Sequence, residues 1–112
     1  MIDEAALEQF NSLLNELETN INEGFKVLSE TDDSDVRDYF EFYLEEIPEV
    51  FEVDNPQNLS QSEMTDCLKV HAVASHCNGE HQFFVIDYTL GYDQLLALKF
   101  DKGGIIQIAW ES

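Results

Sequence analysis

Residues 67–90, CLKVHAVASHC-NG-EHQFFVIDYTL, decide the fold. On both sides of Asn78-Gly79 the apolar period is two, as in half-buried strands. Asn-Gly is the strongest short hairpin signal, because both residues tolerate positive φ. A two-residue turn there pairs Ala74 with Phe83 and Ala72 with Val85. Downstream, Gly91-Tyr92-Asp93 marks a second turn, and Gln94–Phe100 and Ile105–Trp110 make a second hairpin across Asp101-Lys102-Gly103-Gly104. Turns this short join only antiparallel neighbours, so the expectation is a four-stranded meander. The run Phe83-Phe84-Val85-Ile86 puts apolar side chains on both faces of its strand, and both faces therefore call for cover.

Upstream the period changes. Leu7, Phe10, Leu14, Leu17, Ile21, Gly24 and Leu28 recur at spacings of three and four, one stripe of a long amphipathic helix with Asp3 as its N-cap. A packed helix fits this stripe better than a zipper, which would need basic partners beside the seam. Gly24 lies on the stripe, where it costs about 1 kcal/mol against Ala; it marks either a close crossing or a weakened last turn. Thr31-Asp32-Asp33-Ser34 is a cap cluster, and Val36, Tyr39, Phe40, Tyr43, Leu44 and Ile47 form the buried face of a second helix that Pro48 ends. The short connection predicts an antiparallel helical hairpin. Val50–Val53 reads as a short fifth strand and 54–66 as a loop, in which Ser60-x-x-Glu63 has the form of a capping box around one helical turn. The fold class is α+β: a single domain over 1–112, with two helices in 1–48, a short strand and loop in 49–66, and an antiparallel sheet in 67–112, four- to five-stranded according to whether the short strand joins it.

Charge narrows the function classes. The 112 residues hold 24 acids and 5 bases, a net charge of −19, with 44% hydrophobic residues. That hydrophobic content supports a packed core, so the chain is not a disordered acidic tail. The acids argue against direct binding to nucleic acid or to an anionic membrane surface. Neither a basic-apolar leader nor a long apolar run is present, and two cysteines are too few for a disulfide scaffold. A soluble cytoplasmic protein is expected.

The side chains with catalytic potential are scattered. All histidines and cysteines fall in Cys67-x3-His71-x4-His76-Cys77-x3-His81, which matches no zinc pattern. In the expected register His76 and His81 oppose one another while Cys67, His71 and Cys77 point to the other face, so no metal or other cofactor is expected. Cys77 beside His76 is not a dyad, because neighbours on a strand diverge. Asp87 interrupts an apolar run; with His71 and Tyr88 it makes the candidate pocket set, although His71 and Tyr88 share one expected face and Asp87 takes the other.

The most informative feature is the acidic run around the second helix. Asp35, Asp38, Glu41, Glu45, Glu46 and Glu49 face only Arg37, and Asp38, Glu41, Glu45 and Glu49 fall along one side. Such a ridge steers basic partners in a salt-dependent way. Phe42 lies outside the apolar stripe among these acids and is the candidate apolar anchor. The plain alternative is a solvated face that keeps the protein soluble.

Asp87-Tyr88-Thr89-Leu90, followed by Leu95–Phe100, Asp101-Lys102-Gly103-Gly104-Ile105 and Trp110-Glu111-Ser112, resembles the C-terminal hairpin of small acidic bacterial proteins. Some of those are immunity proteins of polymorphic toxin systems, and others belong to mobile gene cassettes. The resemblance carries no catalytic motif and implies a cytosolic inhibitor that masks a toxin's basic site. The favoured expectation is a non-enzymatic module binding a basic protein, such as a nuclease, through Asp35, Asp38, Glu41, Phe42, Glu45, Glu46 and Glu49. The alternatives are a cone-shaped ligand-binding or enzymatic fold with an apolar pocket near His71, Asp87 or Tyr88, and a homodimer closed over the uncovered sheet face.

Overall fold

The computed structural model describes the backbone of residues 4–78, 81–101 and 104–111, and the side chains of the same span except 5–7, 9–14, 76–78, 81 and 82. Helix α1 spans Glu4–Glu30 and α2 spans Ser34–Glu46. Two 3-10 turns, Pro48–Phe51 and Pro56–Asn58, lead to a short helix α3, Gln61–Thr65. Four strands follow, β1 Lys69–Asn78, β2 His81–Gly91, β3 Gln94–Asp101 and β4 Gly104–Glu111. They pair in sequence order in one antiparallel sheet, which makes the fold α+β. The Asp3 cap, the turn residue Gly79, and the side chains of Leu7, Phe10, Leu14, His76, Cys77 and His81 lie outside the described residues.

The helices cover one face of the sheet. Ile86 and Tyr88 of β2 stand opposite Leu98 and Leu96 of β3, all fully buried, and Leu96 and Leu98 stand opposite Trp110 and Ile108 of β4. Onto this face fold Leu28 of α1, Val36, Tyr39, Phe40 and Tyr43 of α2, and Phe51, Met64 and Leu68 from the connecting segment. Burying an aliphatic or aromatic side chain of this size stabilises by about 1.5–3 kcal/mol, so this one cluster is the main favourable contribution to the fold. Helix α1 packs beside α3, and α2 lies over β4 and against the first 3-10 turn. On β1, Val70 and Val73 fall on the covered face by their pairing with Tyr88 and Ile86, yet both remain more than a third exposed. The helical layer thus stops short of that edge strand.

Local chemistry explains the element boundaries. Asp33 caps α2 by accepting from the Asp35 N–H at 2.9 Å, and Ile47 closes it before Pro48. The Ser60–Glu63 capping box is complete: the Ser60 hydroxyl accepts from the Glu63 N–H at 3.1 Å, and the Glu63 carboxylate accepts from the Ser60 N–H at 3.0 Å. Those bonds hold the Glu63 carboxyl below its usual range. The neighbouring Gln61 amide donates to the carbonyls of Leu28 and Thr31, both at 2.7 Å, satisfying the end of α1 from another element. Gly24 is a close crossing: a Cβ at this position would overlap the Tyr88 hydroxyl.

Three expectations are corrected. Residues 50–53 are not a fifth strand. Pro48 presets a tight turn in which Val50 and Glu52 donate back to Ile47 and Glu49, and Glu52 turns left-handed at φ 54°. The β1–β2 register lies two residues along from the expected one, pairing Ala74 with Val85 and Ala72 with Asp87. An even shift keeps each side chain on its face, so the apolar alternation is the same in both registers. A bulge between Val70 and Ala72 then sets Val70 across from Tyr88, so the place beside Tyr88 on the face that His71 was expected to share is taken by Val70.

Candidate functional site

Helix α2 turns its two sides to different tasks. Val36, Tyr39, Phe40 and Tyr43 are buried against the sheet, while Asp38, Glu41, Glu45 and Glu46 are exposed and Asp35 is half-buried in the first turn. At about 100° per residue, Asp38, Glu41 and Glu45 fall within one sector of about 60° on the side away from the core. Beside them, Glu41, Leu44 and Glu45 form a shallow groove with Gln57 of the second 3-10 turn. The groove has an apolar floor, two carboxylates and one amide. That combination suits a lysine or arginine side chain, whose stem is apolar and whose head seeks carboxylate oxygens.

Two members of the expected set sit elsewhere. Glu49 lies in the 3-10 turn beyond the end of α2, so it does not continue the helical row. Phe42 is half-buried and tied to the core: its ring meets Tyr43 edge-on at 5.5 Å and Trp110 at 5.5 Å. An anchor standing free of the core is therefore not what Phe42 provides; it fixes the flank of the ridge to β4.

The pocket set does not converge. His71 is exposed at the β1 bulge. Asp87 is half-buried on the uncovered face, opposite Ala72 and Ala97. Tyr88 is fully buried on the other face, its hydroxyl donating to the Ile21 carbonyl at 2.8 Å. Burial pushes that phenol above the usual range. A separate cleft is lined by Phe51, Glu52, Asp66, Cys67, Lys69 and Leu90. Its thiol, Cys67, is raised by burial and then by the nearby Asp66 and Glu52 carboxylates, which keeps it protonated and a poor nucleophile. Among the described residues no group of three His, Cys, Asp or Glu side chains is placed to hold a metal ion. No described helix is long and apolar enough to cross a membrane.

A polar cluster under α2 escapes sequence reasoning. The Tyr39 hydroxyl donates to the Gln94 carbonyl at 2.9 Å and accepts from the Leu90 N–H at 3.0 Å, and the Tyr43 hydroxyl donates to the Gly91 carbonyl. Thr89 accepts from the Gly91 N–H at 2.9 Å, and the Trp110 indole donates to the Gln94 side chain at 2.7 Å. Together these bonds satisfy the backbone around the Tyr92 turn, where Tyr92 itself adopts φ 63°. Burial, followed by the Tyr39 hydroxyl, pushes the Tyr43 phenol above its ordinary range. The only sequence signal is that Tyr, rather than Phe, occupies two apolar-stripe positions.

No family model, curated protein or solved structure matches the chain.

Proposed function

We propose that this protein is a non-enzymatic binding module whose α2 ridge engages a basic protein, in the manner of an immunity protein or inhibitor acting in the cytoplasm on a nuclease or another nucleic-acid-binding protein. The observation that supports this reading is the Glu41–Leu44–Glu45–Gln57 groove, set on the solvent side of a helix with Asp38 one turn before it. A partner arginine lays its stem on Leu44 and its guanidinium between the two glutamates, while Asp35, Asp38 and Glu46 add long-range attraction. The inhibitor then occupies the surface its partner uses for phosphate, because both present closely spaced oxyanions.

The test uses affinity capture at low and high salt together with binding of an arginine-rich peptide. Capture at low salt, lost at high salt and abolished by D38K/E41K/E45K, supports the reading. Peptide binding that is indifferent to salt, or unchanged in the triple variant, overturns it.

A further inference from the structure

The face of the sheet that the helices leave open differs electrically from the rest of the molecule. Alternation places Ala72, Ala74, Phe83, Val85, Leu95, Ala97 and Ala109 on it, together with the charged residues Lys69, Asp87, Lys99, Asp101 and Glu111. Among the described residues two lysines thus stand against three carboxylates on this face, in a chain that carries −19 overall. Lys99 leans over the Phe83 ring, its ammonium 4.0 Å from the centroid. Ala97, in the middle of the face, is only 7% exposed, and a hollow opens above it between Val85, Lys99, Gln107 and Ala109.

The arrangement of charges is self-complementary. Lys69, which starts β1 and also lines the cleft with Glu52 and Asp66, pairs with Thr89 at the β1 edge, and Glu111 pairs with Leu95 at the β4 edge. Both pairs lie one step beyond the row Val70, Tyr88, Leu96, Trp110, so Lys69 and Glu111 occupy opposite ends of one row. A two-fold axis running along the strands, between β2 and β3, lays each β1 over the other copy's β4. It thereby sets Lys69 over Glu111 of the second copy, twice. The same axis sets Asp87 over Ala97 of the second copy, two residues along β3 from that copy's Lys99. Isologous interfaces need this reciprocity, in which residue i meets j and j meets i.

We infer that the open sheet face is a homodimer surface, joined by reciprocal Lys69–Glu111 pairs around an alanine-rich centre. Four strands about 4.8 Å apart and about eight residues long at about 3.3 Å per residue give a footprint of roughly 500 Å² per copy. A total near 1,000 Å² is the lower end of specific interfaces, so a reversible dimer of about micromolar affinity is expected. Like charge does not forbid it, because α2 and its acids face away from the partner sheet. The proposed basic partner binds the opposite side of the molecule, so either surface can be tested without the other.

Solution mass across a concentration series, by light scattering or sedimentation equilibrium, tests the proposal. The expected result is a shift from 12.9 kDa toward twice that mass as concentration rises. Lys69→Glu and Glu111→Lys alter exposed side chains and each weakens the dimer by roughly tenfold or more, because each creates two like-charge pairs. Mixing the two variants restores association as a heterodimer. At one end the introduced glutamate meets the introduced lysine, and at the other the retained Glu111 of one chain meets the retained Lys69 of the other. A wild-type chain still monomeric at about 1 mM overturns the inference. So does a dimer that both single variants leave intact, or a mixture that fails to recover, either of which puts the contact elsewhere, such as an edge strand.

Discussion

Replacing Gly24 by Ala sets two effects against each other with opposite signs. In an exposed helix the change stabilises by about 1 kcal/mol. Here a Cβ would overlap the Tyr88 hydroxyl and come within 2.7 Å of Cζ and 3.1 Å of Cε2. Tyr88 has no room to retreat: it is fully buried, holds the Ile21 carbonyl at 2.8 Å, and meets the Phe25 ring edge-on at 4.9 Å. Overpacking of this kind costs about 1–3 kcal/mol. Displacing the hydroxyl from the Ile21 carbonyl adds about 1–3 kcal/mol for a buried donor left unpaired. The net expectation is a loss of about 1–5 kcal/mol, the middle of which is roughly 10 °C in Tm for a domain of this size. Urea unfolding followed by circular dichroism measures it, with a double-mutant cycle through Tyr88→Phe. Removing the hydroxyl takes away the worst overlap, so Gly24→Ala should cost about 1–2 kcal/mol less in the Tyr88→Phe background. A stabilised Gly24→Ala single variant, or a cycle with no coupling, refutes the reasoning.

Gln61→Ala should destabilise by about 1–2 kcal/mol in the same assay, because two helix-end carbonyls lose their donor. Gln61→Glu should cost at least as much, since a carboxylate cannot donate and sits badly at the negative end of α1. The Tyr43 and Tyr88 phenols titrate above their unfolded value near 10, so the stabilisation they confer is complete below that pH and is lost as pH rises toward their folded values. Phenolate absorbance from these two rings should therefore appear together with loss of circular dichroism; ionisation of both in a still-folded protein would contradict the assignment. Added salt should raise Tm by screening the α2 acids, and Asp38→Asn should stabilise by a few tenths of a kcal/mol, measured at low ionic strength. A Tm that falls with simple screening salt would count against a ridge under self-repulsion.

What was legible in the sequence was whatever depends on near neighbours. The 3–4 spacing of Val36, Tyr39, Phe40 and Tyr43 marked the buried side of α2, and Ser60 with Glu63 marked a helical turn of only five residues. Gly24 also showed, because a glycine on an apolar stripe has few reasons to be there. The failures all involve a competition that single-sequence patterns do not resolve. Val50–Val53 has the residue types of a strand, yet Pro48 starts a 3-10 turn whose local hydrogen bonds take up the backbone groups a strand would offer. The β1–β2 register is ambiguous at steps of two, and the His71 bulge leaves no compositional trace. The acidic row was legible as far as Glu45. Glu49 left it because the helix ends at Ile47, and Phe42 left it because Trp110, far along the chain on β4, packs against its ring.

The sheet separates the charge of this protein, and both proposed surfaces depend on that separation. Helix α2 gathers carboxylates on the side facing water, while the far side of the sheet holds two of the chain's five bases. A uniformly distributed −19 would oppose association with any copy of itself and would offer a basic partner no preferred face. Segregation removes both objections, because the interaction between exposed charges decays over about 8–10 Å at ordinary salt. A helix layer on a sheet is about that thick, so charge on one side is largely screened from events on the other. A dimer built on the sheet would carry two acidic ridges pointing outward in opposite directions. Two basic surfaces on one partner could engage both ridges only by wrapping around the dimer, so each ridge would act on a separate partner and binding should saturate at one partner per chain. Half-occupancy, one partner per dimer, would mean that the ridges and the dimer surface compete for the same side of the protein.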